Sequence, residues 1–562
     1  MTDTSIETKP TEERIPGSVG KALPARNTMR WFGRFDGYDF ATVILVAALV
    51  VLAFLTFRDY AISNDEPVQH HYGELILRYY ASGFHDRSVF DFENLYLYGG
   101  LFDIIAVGLS HLVPIEPYAL RHILCALIGI SGIGAAALTA RLIAGPRAGF
   151  IAAVALSVCG AWYGTMFNHT KDIPFAAAMM GAMLFLIRIA RSLPRPRAGD
   201  VAAFGLLAGA ALGMRSMGLL LFIYVGFAIA LYLPRPWLGR AGWRFVVESS
   251  LRMVPGLLLA YVIMILAWPW AALAPLNPIR GLLAFSQFHY HIQTILDGKV
   301  YEMAHVPRLY VPIYILIRVP LVTLFGAALG MAFALKSGRA AASMRTQPRD
   351  VALIGLAAVF PLACQVIWDG PAFTGLRHFL FVIPALAVLA GIGLDAAVGA
   401  LTTRSRVAAF ASLAAIGAGF VWNAVTLVQL HPDEYLFYNP LVGGLQGASR
   451  RYATDYWFNS MPEAIHQLEA YVRHTDRAGL GHQTYAVAVC GERLPFEKTV
   501  TLPELHFASR WDRYQFFIAP THMNCDRALD GKVVGTVKRL GVVIATIKDH
   551  RALTGPVASA TR

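Results

Sequence analysis

Between Tyr38 and Leu430 the chain is a succession of apolar runs divided by short polar loops, and most runs approach the roughly 20 residues a helix needs to cross a bilayer. Backbone in hydrocarbon must satisfy its own hydrogen bonds, so such a chain is confined to helices packed within a membrane. The runs lie at 38–57, 119–142, 148–167, 174–189, 201–214, 217–233, 251–272, 309–335, 351–368, 377–394 and 407–430, which predicts about eleven spans. Leu101 to Val113 is apolar too, but about 13 residues suit a re-entrant or interfacial helix better than a span. With 56% of its 562 residues hydrophobic and 15% charged, the chain has too little polar surface for a water-soluble globule.

The formal net charge of +12 does not point to nucleic acid, because the basic residues sit in short loops: Arg141–Arg147, Arg188–Arg197, Arg235–Arg244, Lys336–Arg349 and Arg404–Arg406. That pattern predicts a cytoplasmic face for these loops and for the polar tail 1–37, with its Arg26, Arg30 and Arg34. The first run then acts as a signal anchor, since no small-residue cleavage site follows it. The loop 58–118 carries Asp59, Asp65, Glu66, Glu74, Asp86, Asp91, Glu93, Asp103 and Glu116, and is expected outside together with loops 168–173, 273–308 and 369–376.

An odd number of spans also puts 431–562 outside. That segment is long enough for one small α+β domain, with strands at Tyr485–Val489 and Val542–Ile547. Its only cysteines, Cys490 and Cys525, would stabilise it by roughly 4 kcal/mol if bridged, and a pair of free thiols is the alternative. Cys125, Cys159 and Cys364 lie in apolar runs as inert buried thiols, and no cysteine spacing suggests a metal or redox motif. No internal repeat is apparent.

Charge beside a membrane needs a partner or a task, so the external polar stretches are the candidates. Asp65-Glu66-Pro67 is followed by His70, His71 and Glu74; helical spacing puts His70 on a face with Glu66 and with Glu74. A carboxylate there suits a general base, although helix capping explains such an acid pair equally. Asn168-His169-Thr170-Lys171-Asp172-Ile173-Pro174 is dense in polar groups for a tight turn. A capped helix start accounts for Asp172 and Pro174, less well for His169 and Lys171. His289 and His291 could face a metal only from an extended segment. Arg377-His378 opens a span, where an arginine can meet an anionic headgroup or snorkel.

In order and sidedness these motifs resemble those of the GT-C membrane glycosyltransferases, in particular the bacterial branch similar to protein O-mannosyltransferases and lipid A aminoarabinose transferases. The resemblance covers about Tyr38 to Asn459. It is carried by Asp65-Glu66, the Arg121 to Pro146 helix-and-loop pattern, Lys171-Asp172-Ile173-Pro174, and Arg377-His378-Phe379-Leu380 leading to Pro384. His431-Pro432, Tyr438 to Gly444 and Asp455-Tyr456-Trp457 complete it.

The resemblance implies an all-α polytopic GT-C-like membrane protein of the bacterial inner membrane with an extracytoplasmic α+β tail. It implies an inverting hexosyl or pentosyl transferase that moves a sugar from a polyprenyl phosphate to a lipid, glycan or protein acceptor. Asp65 would be the base by family position and Asp172 a second catalytic carboxylate orienting Lys171 or the sugar. Lys171 and Arg377 would meet the phosphate, with Glu66, His70, His169 and His378 as further substrate-binding residues. No cofactor is required by this reading, although a divalent metal near His289 or His291 is compatible with it. Two other readings compete: a carrier or flippase of lipid-linked saccharide, which should place charges at mid-membrane depth, a pattern to which Arg215 between two short spans is a partial match, and a non-catalytic scaffold whose external tail binds envelope partners.

Overall fold

The computed structural model describes residues 35–234, 239–286, 291–336 and 348–551. Among these, seven helices are long and apolar enough to cross a membrane: Gly37–Thr56, Pro117–Ala144, Asp172–Ala190, Arg240–Ala267, Pro348–Trp368, Arg377–Thr402 and Arg406–Leu430. Tyr310–Arg318 and Leu321–Phe333 make an eighth crossing if taken as one, but they are bent by 116° at Val319-Pro320, where proline removes a helical donor and constrains the residue before it. The chain is a multi-pass membrane protein. The tail arginines 26, 30 and 34, His289, and parts of the basic loops at 235–244 and 336–349 lie outside the described residues.

The expected eleven spans are not all present at spanning length. The runs at 148–167 and 201–214 hold helices of only 12 and 15 residues, Pro146–Ser157 and Ala198–Leu212, and the run at 217–233 corresponds to the short stretch Ser216–Tyr232. In the first case the helix stops at Ser157 and resumes as a single turn, Gly160–Tyr163, because another segment passes against it. A Cβ on Gly164 would stand 2.0 Å from the Tyr435 backbone nitrogen, so only bare backbone admits the strand of chain that crosses there. Hydropathy registers apolarity but not such an interruption. Leu101 to Val113 forms only the short helix Leu101–Ser110.

Asp172–Ala190 and Arg377–Thr402 are central, with 94% and 83% of their spanning windows buried, whereas Gly37–Thr56 and Arg406–Leu430 are peripheral at 17% each. The outer helices expose Phe54, Leu55, Phe410 and Val428, a surface suited to hydrocarbon and not to water. At the bundle end away from Asp65, the basic loops close on helix-borne acids. Arg141 holds Asp39 at 2.5 Å, Arg188 holds Asp200 at 2.8 Å and Arg191 holds Asp350 at 2.6 Å.

A small sheet region follows the helices. Within the long loop a hairpin pairs β1 (Gln293–Leu296) with β2 (Lys299–Glu302). Near the C-terminus, β3 (Tyr485–Val489), β4 (Leu505–Phe507), β5 (Phe516–Pro520), β6 (Lys532–Arg539) and β7 (Val542–Asp549) form a sheet in the order β4-β3-β5-β7-β6. The first three are parallel and the last two antiparallel. Helix Met461–Thr475 buries Ala464, Ile465, Leu468 and Val472, one stripe of its surface.

The sheet is fastened to the helices through buried polar groups. Arg539 of β6 reaches Asp433 at 2.9 Å and Glu463 at 2.8 Å, and the Asn459 side chain accepts from the Ala61 N–H at 3.0 Å while donating to Asp433 at 2.8 Å. Burial, together with the neighbouring Asp455, pushes the Asp433 carboxyl above the usual carboxylate range, and Arg539 opposes this. Cys490 and Cys525 form a disulfide across 35 residues. Its reduction is expected to lower the stability of the sheet region by roughly 4 kcal/mol, read as a lower denaturant midpoint with reductant than without.

Candidate active site

Three helix starts bring the charged residues of distant loops to one end of the bundle. Asp65 immediately precedes helix Glu66–Ala81, which has Pro67 in its first turn. Asp172 begins Asp172–Ala190, followed by Pro174. Arg377 begins the turn that leads into Ile383–Thr402, with Pro384 at its start. Proline favours first turns because its missing N–H is one a helix start leaves unpaired anyway. The sequence thus fixes charged residue and helix start together in each loop. Arg215 occupies the break between Ala198–Leu212 and the turn at Ser216–Leu219.

There the side chains interlock. Asp172 lies between two guanidinium groups: Arg377 Nε donates to its Oδ2 at 2.8 Å, and Arg215 donates to its Oδ1. Arg377 also donates to Asp65 Oδ2. Asp172 and Arg377 are 2% and 6% exposed, while Asp65 is 34% exposed and is the open member of the network. Lys171 Nζ stands 3.8 Å from the Tyr98 ring centroid, and Arg377 lies 4.4 Å over the Trp457 ring. Cations over aromatic faces keep favourable contact without surrendering their charge.

The five ionisable groups, Asp65, Lys171, Asp172, Arg215 and Arg377, comprise three cations and two carboxylates. The cluster therefore has an excess positive charge in a partly dry setting, which an incoming anion would complete. Burial, aided by repulsion from Arg215, brings the Lys171 ammonium down to about 8.

His169 joins the cluster through aromatic neighbours. Its Nε2 is 2.5 Å from the Tyr456 hydroxyl and its ring centroid 3.8 Å from that of Trp457. Burial drives its imidazole well below the ordinary histidine range, so it is neutral. Glu66 and His70 point elsewhere. Glu66 is fully buried, accepts from the Ser63 N–H at 2.8 Å, and lies 3.1 Å from His122 and 3.9 Å from Arg121. His70 pairs with Glu74 at 3.6 Å beside Tyr118, and His378 packs edge-on against Phe373 at 4.6 Å. Arg215, Tyr98 and the Trp457 contact were not singled out by sequence reasoning as parts of a site. An arginine in an apolar stretch was a signal for Arg215, and Trp457 belongs to the Asp455-Tyr456-Trp457 stretch that helps carry the resemblance; for Tyr98 there was no signal.

Among the described residues no group of three or more His, Cys, Asp or Glu side chains could hold a metal ion. His291 is exposed. The two carboxylates of the cluster already face arginines, an arrangement that does not fit a divalent cation.

No family model matches the chain. No curated protein matches it either. Among solved structures, it is similar to ArnT from Cupriavidus metallidurans bound to undecaprenyl phosphate, at 15% identity over 91% of this chain and 98% of that one, TM-score 0.46. Archaeal oligosaccharyltransferase AglB from Archaeoglobus fulgidus, in complex with an inhibitory peptide and a dolichol-phosphate, is similar at 12% identity over 86% and 69%, TM-score 0.45. Arabinofuranosyltransferase AftD from Mycobacteria is similar at 14% identity over 91% and 40%, TM-score 0.38. At these identities and scores they assign no residue and no substrate to this chain.

Proposed function

We propose that this protein is an inverting glycosyltransferase that moves a sugar from a polyprenyl phosphate to an acceptor hydroxyl at the outer face of a bacterial inner membrane. The observation that carries the reading is the open carboxylate of Asp65 held by Arg377 within a cluster of excess positive charge, at one end of a membrane bundle. Such a site has what the reaction needs: a base in contact with solvent and fixed cations for a phosphate leaving group.

In the proposed step the acceptor O–H gives its proton to Asp65 and its oxygen attacks the anomeric carbon from the face opposite the phosphate. The carbon–oxygen bond to the phosphate breaks, and its electron pair remains on the phosphate, near Lys171, Arg215 and Arg377. Inversion follows from single displacement. Asp172 acts by holding Arg215 and Arg377 in place. The N-terminus would be cytoplasmic and residues 431–562 extracytoplasmic. A carrier reading draws on the 116° break between Tyr310–Arg318 and Leu321–Phe333, but the charge cluster lies at helix starts, not at mid-span.

The test is the profile of lipid-linked sugars and envelope glycans in cells lacking the gene. Loss of one envelope sugar with accumulation of its polyprenyl-phosphate donor is expected; an unchanged profile would rule the reading out.

Because Lys171 titrates near 8, it is a cation below that pH and loses its charge above it. Donor KM is therefore expected to rise as pH passes about 8. Lys171→Arg should move that limb upward, since a guanidinium stays charged. A pH series of donor KM for both forms checks this, and coincident profiles would remove Lys171 from phosphate binding.

A further inference from the structure

A cavity of about 360 Å³ lies between the loop that precedes Asp65 and the C-terminal sheet, within the roughly 300–1,000 Å³ usual for small-molecule sites. Asn64 and Tyr456 wall it on the bundle side, and His522, Ala528 and the Cys490–Cys525 bridge on the other. It adjoins the candidate active site twice: Asn64 is the chain neighbour of Asp65, and the Tyr456 hydroxyl bonds His169.

The lining is more apolar than polar, with a few polar groups, and carries almost no available charge. None of its residues is lysine or arginine. Its one carboxylate, Asp455, already accepts from the hydroxyls of Tyr435 and Ser460 and from the Asn459 N–H at 2.7 Å. Burial brings the His522 imidazole down to about 4, leaving it neutral, and its Nδ1 accepts from the Thr454 N–H at 3.4 Å. Asn64 Oδ1 is buried and has no hydrogen-bond partner among the described residues, an acceptor that a ligand hydroxyl would satisfy. Tyr456, which is only partly buried, offers ring surface for the apolar face of a pyranose.

A second observation is left-handed backbone in this lining, which holds three of the ten non-glycine residues with positive φ among the described residues. Phe458, Met523 and Asn524 hold φ of 53°, 53° and 58°, left-handed values that side-chain-bearing residues adopt at a cost and that gather at ligand-binding sites. Arg450, paired with Asp526 at 2.7 Å, donates to Asn524 Oδ1 at 2.6 Å and pins the strained segment. The cystine ties the same segment to the end of β3.

We infer that this cavity binds an uncharged sugar or oligosaccharide, and that this saccharide is the acceptor whose hydroxyl is presented to Asp65. Its role as acceptor rests on the transferase reading above; saccharide binding does not. Without cations the cavity discriminates against phosphorylated acceptors, which separates it from the phosphate-binding cluster beside it.

The test is saturation-transfer NMR on the full chain in nanodiscs, with methyl α-mannopyranoside, methyl α-glucopyranoside, methyl β-galactopyranoside and maltotriose as neutral probes and glucose 1-phosphate as the anionic one. At least one neutral probe should bind the wild type, lose its signal with Ala528→Trp, which fills the cavity, and keep it with Ala528→Ser. Asn64→Leu, which leaves the space but removes the acceptor atom, should weaken binding about 10-fold and serves if the tryptophan variant unfolds. The cavity proposal is overturned if no neutral probe binds in a manner sensitive to these substitutions, or if glucose 1-phosphate binds there equally well. Cavity-sensitive binding with no consumption of any polyprenyl-phosphate sugar by the wild type would instead overturn the transferase reading and the acceptor role, leaving a saccharide site.

Discussion

Asp65→Asn is expected to lower sugar transfer by about 10²- to 10⁴-fold, the usual contribution of a positioned general base, while leaving the protein folded. The substitution keeps the shape of the side chain and one acceptor oxygen for Arg377, but removes the basicity that takes up the acceptor proton. Asp65 is 34% exposed, so its charge is partly solvated and its loss costs the fold little. Arg377 also retains Asp172 at 2.8 Å. The loss should therefore appear in kcat, with donor KM little changed and an unaltered melting curve. Transfer within a few-fold of wild type would show that another group takes the proton.

Asp172→Ala should act on the whole arrangement and not on the proton alone. The carboxylate is 2% exposed and sits between Arg215 and Arg377. Without it, two guanidinium groups face each other in a dry setting with only Asp65 to offset them. Removing one partner of a buried ion pair typically costs about 3–5 kcal/mol, so a lowered thermal midpoint in detergent and lost transfer are both expected. Coupling separates this from a packing defect: adding Arg215→Met to Asp172→Ala should recover stability, because it removes the orphaned charge along with its partner. Additive losses in the double variant would mean that the ion pair is not the cause.

The two substitutions differ because proximity in sequence and proximity in space differ. Asp65 and Glu66 are adjacent, and adjacent residues at a helix start point about 100° apart. Asp65 therefore turns toward Arg377, while Glu66 turns inward to Ser63, Arg121 and His122. Reading them as one acidic pair was sound for locating the loop and uninformative about direction. His378, beside Arg377, packs on Phe373 yet stays within electrostatic reach of Asp172, Arg215 and Lys171. Arg215 was visible as an arginine out of place among apolar residues, but its partner Asp172 lies 43 residues away, and the Asp65–Arg377 contact spans 312. Neither periodicity nor spacing carries information over such distances.

Several properties were determined by the sequence alone, because they follow from local physics. The length and apolarity of each run against the thickness of a bilayer made the chain a multi-pass membrane protein, proline beside charge located the helix start at Asp172, and the apolar run 377–394 put Arg377 at the mouth of a span. The alternating run Tyr485–Val489 and the run Val542–Ile547 marked β3 and β7 as strands. The tertiary structure decided what depends on neighbours: that the helix begun at Pro146 stops where another segment crosses at Gly164, that Cys490 meets Cys525, and that Asp172 is enclosed while Asp65 stays open. A residue's environment in a packed bundle is set by side chains far along the chain, so hydropathy can place a charge at the membrane surface but cannot say which countercharge meets it.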